Sequence, residues 1–332
     1  GSYNIYDFKR YLFPLLDASG NEVYFHPGMS LSGLHADPRY QPEDKNDGYS
    51  SYTFISGGTQ PEHFYQRSYT SEAKFDITSQ VTNQHEVTFG LKSKWDTMDF
   101  VFFEVLRNRN NYLTPTIPDP NNQKGSIDIY SRSPKQFSGY LQDKMEFESM
   151  ILNAGLRLDY FNANAVYAPD PFKPTENLTN SEGKLTISPR LGISFPITDQ
   201  GIIHFSYGHF YQLPPYRYLY SNPEFEDIAA EPVYGNANLN PEKTVTYEVG
   251  LQQQLNESLA FNITGFYKDF HDLLAIQQIR ISSNSIYQKY VNKDYGNIKG
   301  ITFSLTKRKL PNDLFSASLD YTIQDAEGNE TG

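Results

Sequence analysis

MILNAGLRLDY, residues 150–160, decides the fold. Met150, Leu152, Ala154, Leu156, Leu158 and Tyr160 share one face of an extended chain, and Ile151, Asn153, Gly155, Arg157 and Asp159 share the other. Successive side chains of a strand point to opposite faces, so this is a strand; a helix would scatter its apolar groups around the whole circumference.

The period recurs. Leu185, Ile187, Leu191, Ile193 and Phe195 oppose Lys184, Thr186, Ser188, Arg190 and Ser194. Val245, Tyr247, Val249 and Leu251 oppose Thr244, Thr246, Glu248 and Gln252, and 314–324 repeats the scheme from Phe315 to Ile323. Weaker alternation marks 68–77, 86–95, 137–144, 203–212, 259–268 and 300–306. About ten strands result, several near the 9–11 residues that cross a membrane at a tilt.

Connections alternate in length. Short polar turns fall near 79–84, 148–149, 198–201, 256–258 and 311–313, and long segments at 107–133, 162–183, 213–241 and 270–297. A soluble β-sandwich has no reason to gather its long loops at one end, whereas an outer-membrane barrel has tight periplasmic turns and large extracellular loops. Residues 1–63 read as one more outer loop region without a regular strand, and 64–332 as the barrel portion. The fold class is all-β, an antiparallel transmembrane β-barrel segment.

Composition agrees. The 332 residues carry 38% hydrophobic side chains, and mean hydropathy is -0.59. That is too polar for a helical membrane protein but suits strands with one apolar face. No apolar run reaches the roughly 18 residues of a membrane helix. Aromatics supply 15%, with 26 Tyr and 23 Phe, as strands and interfacial belts require. The absence of Cys removes disulfides and thiolate chemistry. A net charge of -11 gives no electrostatic reason to bind nucleic acid. The start, GSYNIYDFKR, has no basic-then-apolar leader, which places the expected N-terminus upstream.

The polar strand faces carry Arg157, Asp159, Arg190 and Glu248, with His204 and Gln252. A closed core would not hold this density of charge, so these residues are expected to face a lumen. Gly155, Gly192 and Gly250 on the same faces allow close approach by neighbouring backbone or a plug. In YQLPPYRYLY (211–220), Tyr211, Tyr216, Arg217, Tyr218 and Tyr220 are candidate outer-loop substrate contacts; the same residues suit an aromatic belt with a stiffened loop. His204 and His209 fall on opposite strand faces and make no metal pair. Asp44, Asn46, Asp47 and Gly48 suggest calcium but lack a bidentate Glu at EF-hand spacing, and Asp119, Pro120, Asn121 and Asn122 read as a turn. Neither cofactor nor metal is expected. With no G-x-S-x-G element, His204 and Ser206 do not make a hydrolase, and no enzyme activity is expected.

Several motifs resemble the TonB-dependent outer-membrane receptors and transporters. YGNANLNPEKTVTYEVGLQ (234–252) is similar to that family's loop-to-strand signature, FNITGFYKDFHDLL (261–274) and YGNIKGITFSLTKR (295–308) to the strands after it. SGYLQDKMEFESMILNAGLRLDYF (138–161), ISPRLGISFPIT (187–198) and FSYGHFYQLPP (205–215) resemble its upstream elements in the family's order. The QDKMEF and YGHFYQLPPY wording is closest to the Oar-like branch, which carries a carboxypeptidase-regulatory-like domain. The resemblance covers 137–325 well, 64–106 loosely and 1–63 not at all. It implies a barrel of about 22 strands, of which this chain holds a part, without plug domain or terminal strands. It also implies a Gram-negative outer-membrane location, lipid around the wall, TonB as partner through an N-terminal part, and a siderophore, glycan or peptide as cargo. The alternative is a non-transport anchor, an adhesion or surface-complex module with an extracellular or lipoprotein partner.

Overall fold

The computed structural model describes residues 1–40, 61–108, 111–118, 127–174, 176–221, 233–283, 285–311 and 314–329. Its main feature is one 13-stranded sheet. Eleven strands make the wall: β1 (Ser2–Arg10), β2 (Glu62–Gln80), β3 (His85–Glu104), β4 (Lys135–Glu146), β5 (Ile151–Asn162), β6 (Lys184–Thr198), β7 (Gly201–Gln212), β8 (Glu242–Gln254), β9 (Leu259–Ser282), β10 (Ser285–Lys307) and β11 (Ala317–Gly328). Each pairs antiparallel with the next in chain order. Two short strands complete the sheet: Ile127–Arg132 extends the line of β4 along β3, and Val233–Tyr234 lies parallel to β10. The ten alternating segments of the sequence correspond one to one with β2–β11.

Register fixes the faces. Phe137, Tyr160 and Leu185 are cross-strand neighbours, as are Leu141 and Leu156, Val249 and Phe205, Ile301 and Ile323. These side chains are exposed, Leu185 at 65% and Ile323 at 62%. Such an apolar face needs hydrocarbon as its solvent. On β3 it runs from Val87 to Trp95. Eight steps span about 26 Å along the strand, matching the apolar band of a membrane barrel. Its upper rim is aromatic: Trp95 packs on Phe137 and Phe137 on Tyr160, then Tyr207 on Tyr247 and Tyr247 on Tyr267. Such rings seat one side in acyl chains and the other in the polar interface. Above this girdle the same face turns charged, with Arg67 paired to Asp7 and Lys299 to Asp325. The strands continue past the membrane there.

At the other end the turns are short, and local side chains cap them. Thr82 Oγ1 accepts from the backbone N–H groups of Gln84 and His85, and Asn256 Oδ1 from those of Ser258 and Leu259. These are the ST- and Asx-type turns that Thr and Asn favour.

At the long-loop end, two aromatic cores hold the connections. Leu15, Phe25, Ala36 and Tyr40 close over Tyr65, Val101 and Phe103 at the tops of β2 and β3. Helix α1 (Tyr216–Tyr220) buries Leu219 and Tyr220 with Met98, Tyr130, Phe161 and Leu239.

Two sequence expectations change. Residues 1–63 were to hold no strand, yet Ser2–Arg10 pairs with β2 from Ser2↔Glu72 to Arg10↔Phe64. Tyr6 and Phe8 sit opposite Tyr3 and Ile5, which hides the polar-apolar period. Residues 270–297 were to be a long loop, yet they form the upper halves of β9 and β10, a hairpin closing at Ser282↔Ser285. One face of that hairpin packs Leu274 and Tyr290 into the α1 core, the other packs Ile279 and Tyr287 against Tyr234. With apolar side chains on both faces there is no alternation to read. A register shift at Phe270/Leu273, where Asp272 has φ 57°, resets the period as well.

Candidate functional site

The face opposite the apolar band is the polar side of the wall. It bears Glu72, Lys74 and Asp76 on β2, Lys92, Lys94 and Asp96 on β3, Arg157 and Asp159 on β5, Arg190 on β6 and Glu248 on β8. Most of these charges are paired. Lys74 meets Asp76 at 2.8 Å, Lys92 meets Glu72 at 2.9 Å and Lys94 meets Asp96 at 2.9 Å. The Arg157 guanidinium grips Asp159 with Nε at 2.8 Å and its terminal nitrogen at 2.6 Å, the planar fork that suits a carboxylate. Arg157 and Asp159, two residues apart on one strand, are thus brought together. Pairing two residues apart is what the strand period produces on a polar face.

Arg190 and Glu248 are held differently. Ser206 Oγ donates to Glu248 at 3.2 Å. Arg190 lies over the Phe210 ring at 4.9 Å. Its cross-strand neighbours are Gly155 and Gly208, with Gly192 two residues on, and the Phe210 ring also covers Gly208. A hollow of about 530 Å³ has Arg157, Arg190, Phe210 and Glu248 in its lining on this face and Leu141, Leu156 and Leu191 on the other. A second hollow of about 350 Å³ continues upward past Lys92, Lys94 and Lys184. His204 also lies on this polar face and folds over Gly250, while His209 lies on the opposite face against Tyr207.

The outer-loop candidates divide. Tyr216 turns into the wall: its hydroxyl donates to Asp96 at 2.6 Å and accepts from Gln136 Nε2 at 2.8 Å. Thr70 Oγ1 donates to the other Asp96 oxygen at 2.6 Å, so the carboxylate joins β2, β3 and α1. Burial, then the neighbouring Asp96 carboxylate, pushes the Tyr216 phenol far above its ordinary value and keeps it a donor. Tyr220 is fully buried and donates to the Ala163 carbonyl at 2.7 Å. These two tyrosines are anchors. Arg217 is exposed and stacks over Tyr218 at 4.6 Å, and Tyr218 packs on Tyr290 at 4.6 Å, so these three side chains form one stack at the long-loop end. Tyr211 stands apart, opposite Lys243 on the outward-facing side of β7.

Sequence reading missed Asp96, Gln136, Thr70 and Tyr290. Asp96 follows directly on the last clearly alternating residue of β3, Trp95, and only the α1 loop that covers it makes it a hub. Asp44, Asn46, Asp47 and Gly48, and the Asp119–Asn122 turn, lie outside the described residues. Among the described residues no three His, Cys, Asp or Glu side chains converge to hold a metal ion.

A family model described as TonB dependent receptor-like, beta-barrel matches residues 3–332. No curated protein is detectably similar in sequence. Solved structures share the fold. The outer membrane transporter YddB from Escherichia coli aligns over 80% of this chain and 34% of its own, at 13% identity and TM-score 0.59. The FrpB iron transporter from Neisseria meningitidis (F5-1 variant) aligns over 81% and 38%, at 14% identity and TM-score 0.56. The Serratia marcescens hemophore receptor HasR, in complex with its hemophore HasA and heme, aligns over 80% and 42%, at 15% identity and TM-score 0.56. The chain therefore spans between about a third and two fifths of the length of these proteins.

Proposed function

The chain belongs to the TonB-dependent receptor β-barrel family, whose members are receptors and transporters rather than enzymes, and from that premise we propose that it is part of the wall of a transporter in the outer membrane of a Gram-negative bacterium. Substrate docks at the outer rim, Arg217, Tyr218 and Tyr290, and passes along the lumen face. TonB, acting through a plug carried elsewhere in the polypeptide, supplies the energy. The observation that carries this reading is the lumen wall itself. It presents paired charges and Arg190 to a polar passage, while the opposite face presents apolar side chains to lipid. A siderophore, glycan or peptide suits such a rim. The QDKMEF and YGHFYQLPPY wording favours the Oar-like branch and tilts the cargo toward peptide.

Uptake by cells expressing the intact protein tests the reading. Labelled ferric siderophore, oligosaccharide and peptide panels are compared with and without TonB and with and without an uncoupler. Import of at least one class that stops when TonB is removed supports it. Uptake of none of the three, or uptake indifferent to both TonB and uncoupler, overturns it.

A second reading, a surface anchor with an extracellular or lipoprotein partner, draws on the two packed cores at the long-loop end, which hold the outer segments in fixed positions away from the lumen. A stable complex that persists without TonB would favour it.

A further inference from the structure

His63 sits near the start of β2, above the charged Arg67–Asp7 row and outside the membrane band. Its side chain is fully buried where the segment 11–40 meets β2 and β3. The hydrogen bonds suit one tautomer. Tyr40 Oη donates to the Phe13 carbonyl at 2.9 Å, so toward His63 Nε2, also at 2.9 Å, it must accept. Tyr65 Oη therefore donates to Nδ1 at 2.8 Å. That arrangement is the one made by a neutral imidazole with its proton on Nε2.

The surroundings offer a second proton no negative charge. From 11–16, Tyr11 stacks on the ring at 5.5 Å. From β3, Phe103 stacks on it at 4.8 Å, and Glu104 beyond is exposed. From 36–40, Tyr40 bonds the ring while Asp37 is held by Arg39. From 22–25 come Phe25, which packs on Tyr65, and Glu22, which is spent on Arg39. From β2 itself come Tyr65 and Glu62, the latter paired with Arg10 at 2.8 Å. Ile127 closes the far side. Tyr11, Tyr40 and Tyr65 are all held above their ordinary values, so none supplies a negative charge near neutrality. Among the described residues no carboxylate reaches the ring.

We infer that His63 is an acid-released latch: its protonation frees the segment 11–40 from the β2–β3 rim and opens that side of the long-loop end. An imidazolium must donate from Nδ1 as well, so Tyr65 Oη turns from donor to acceptor, its own proton loses its acceptor, and a charge is left in an aromatic box. The segment reaches the rim through the same box, by way of Tyr11, Tyr40 and Phe25, so it is the part that gives way. Burial alone holds His63 down to about 4 while an unfolded histidine titrates near 6.5. The closed state therefore binds fewer protons, is fully favoured above the unfolded value, and weakens as pH falls from about 6.5 toward 4.

Hydrogen exchange read by mass spectrometry on the intact protein in micelles tests this, after correction for the intrinsic pH dependence of exchange. Peptides from 11–40 should open on the order of 50-fold more at pH 4.5 than at pH 7.5, while peptides from β5 and β6 stay unchanged. His63→Gln keeps a neutral donor and acceptor and should remove the acid response. Where His63→Gln is already open at neutral pH, His63→Phe, which keeps the ring contacts, is compared instead. Equal protection of wild type at both pH values overturns the latch. So does an undiminished acid response in the variant that stays closed at pH 7.5, or opening of both variants at neutral pH with an unchanged acid increment.

Discussion

The ring of Tyr140 on β4 lies across Gly90 of β3. A Cβ at Gly90 would stand 2.2 Å from the ring, and the hydroxyl passes over the glycine to donate to Asp76 of β2 at 2.7 Å. Three strands are thereby tied on the lumen face by one phenol. Two more rings repeat the arrangement, His204 over Gly250 and Phe266 over Gly300. These three glycines thus serve the wall itself, as places that a neighbouring ring covers.

Gly90→Ala should be destabilising. The methyl group has only the ring and the Asp76 oxygen, 2.5 Å away, to displace, and an overpacked site of this kind costs about 1–3 kcal/mol. Gly192→Ala meets its nearest atom at 3.8 Å and should be neutral or gain up to about 1 kcal/mol. Guanidinium unfolding from lipid vesicles, followed by Trp95 fluorescence, separates the two. Equal midpoints would contradict the ring-over-glycine account.

Adjacent faces of the wall should answer oppositely to the same charge. Leu156 lies in the apolar band and is 47% exposed, while Gln142 lies on the lumen side. Leu156→Lys should lose about 2–4 kcal/mol, the cost of a cation against hydrocarbon, and Gln142→Lys should lose less than about 1 kcal/mol. The same vesicle unfolding measures both, and a reversed order would invert the assignment of faces.

How much of this was legible follows from what covers each strand. Leu158 and Leu185 face lipid while Arg157 and Lys184 face water, so solvent contrast writes itself into a period of two, and β2–β11 could be read. The upper halves of β9 and β10, which pack apolar side chains from both faces, carry no such contrast. Arg157 and Asp159 were found because strand geometry alone joins residues two apart. Asp96, Tyr216 and Gln136 were not, because their meeting depends on how 213–221 folds back over the wall. His63 likewise means nothing until 11–40 has packed against it.

Tyr216 and Asp96 should be coupled. Tyr216→Phe removes the donor and Asp96→Asn removes the charge, and a hydrogen bond to a charged group contributes about 1.5–3 kcal/mol. Loosening α1 exposes Arg217, which is already at the surface, to trypsin. Each variant should be cut at Arg217 about ten-fold faster or more, and the double variant no faster than the worse single one. Additive rates would mean that the two residues act independently.

The hairpin of β9 and β10 should loosen in alkali. Tyr287 is almost fully buried near its tip and donates to the Pro171 carbonyl, tying the hairpin to the 163–183 loop. Burial, then the charge of Asp170, pushes its phenol up to about 12, whereas in an opened loop it titrates near 10. The folded form therefore holds its proton more tightly. That contribution is complete below pH 10 and disappears as pH rises through 12, because the opened loop gives up the proton first. Tyr287→Phe keeps the ring and loses the titration. Absorbance at 295 nm should show wild type with one more phenol ionising near pH 12 than the variant. Protection of the 163–183 loop should fall between pH 10 and 12 in wild type only. If that phenol instead titrates near 10 while the loop stays closed, Tyr287 is not the tie between hairpin and loop.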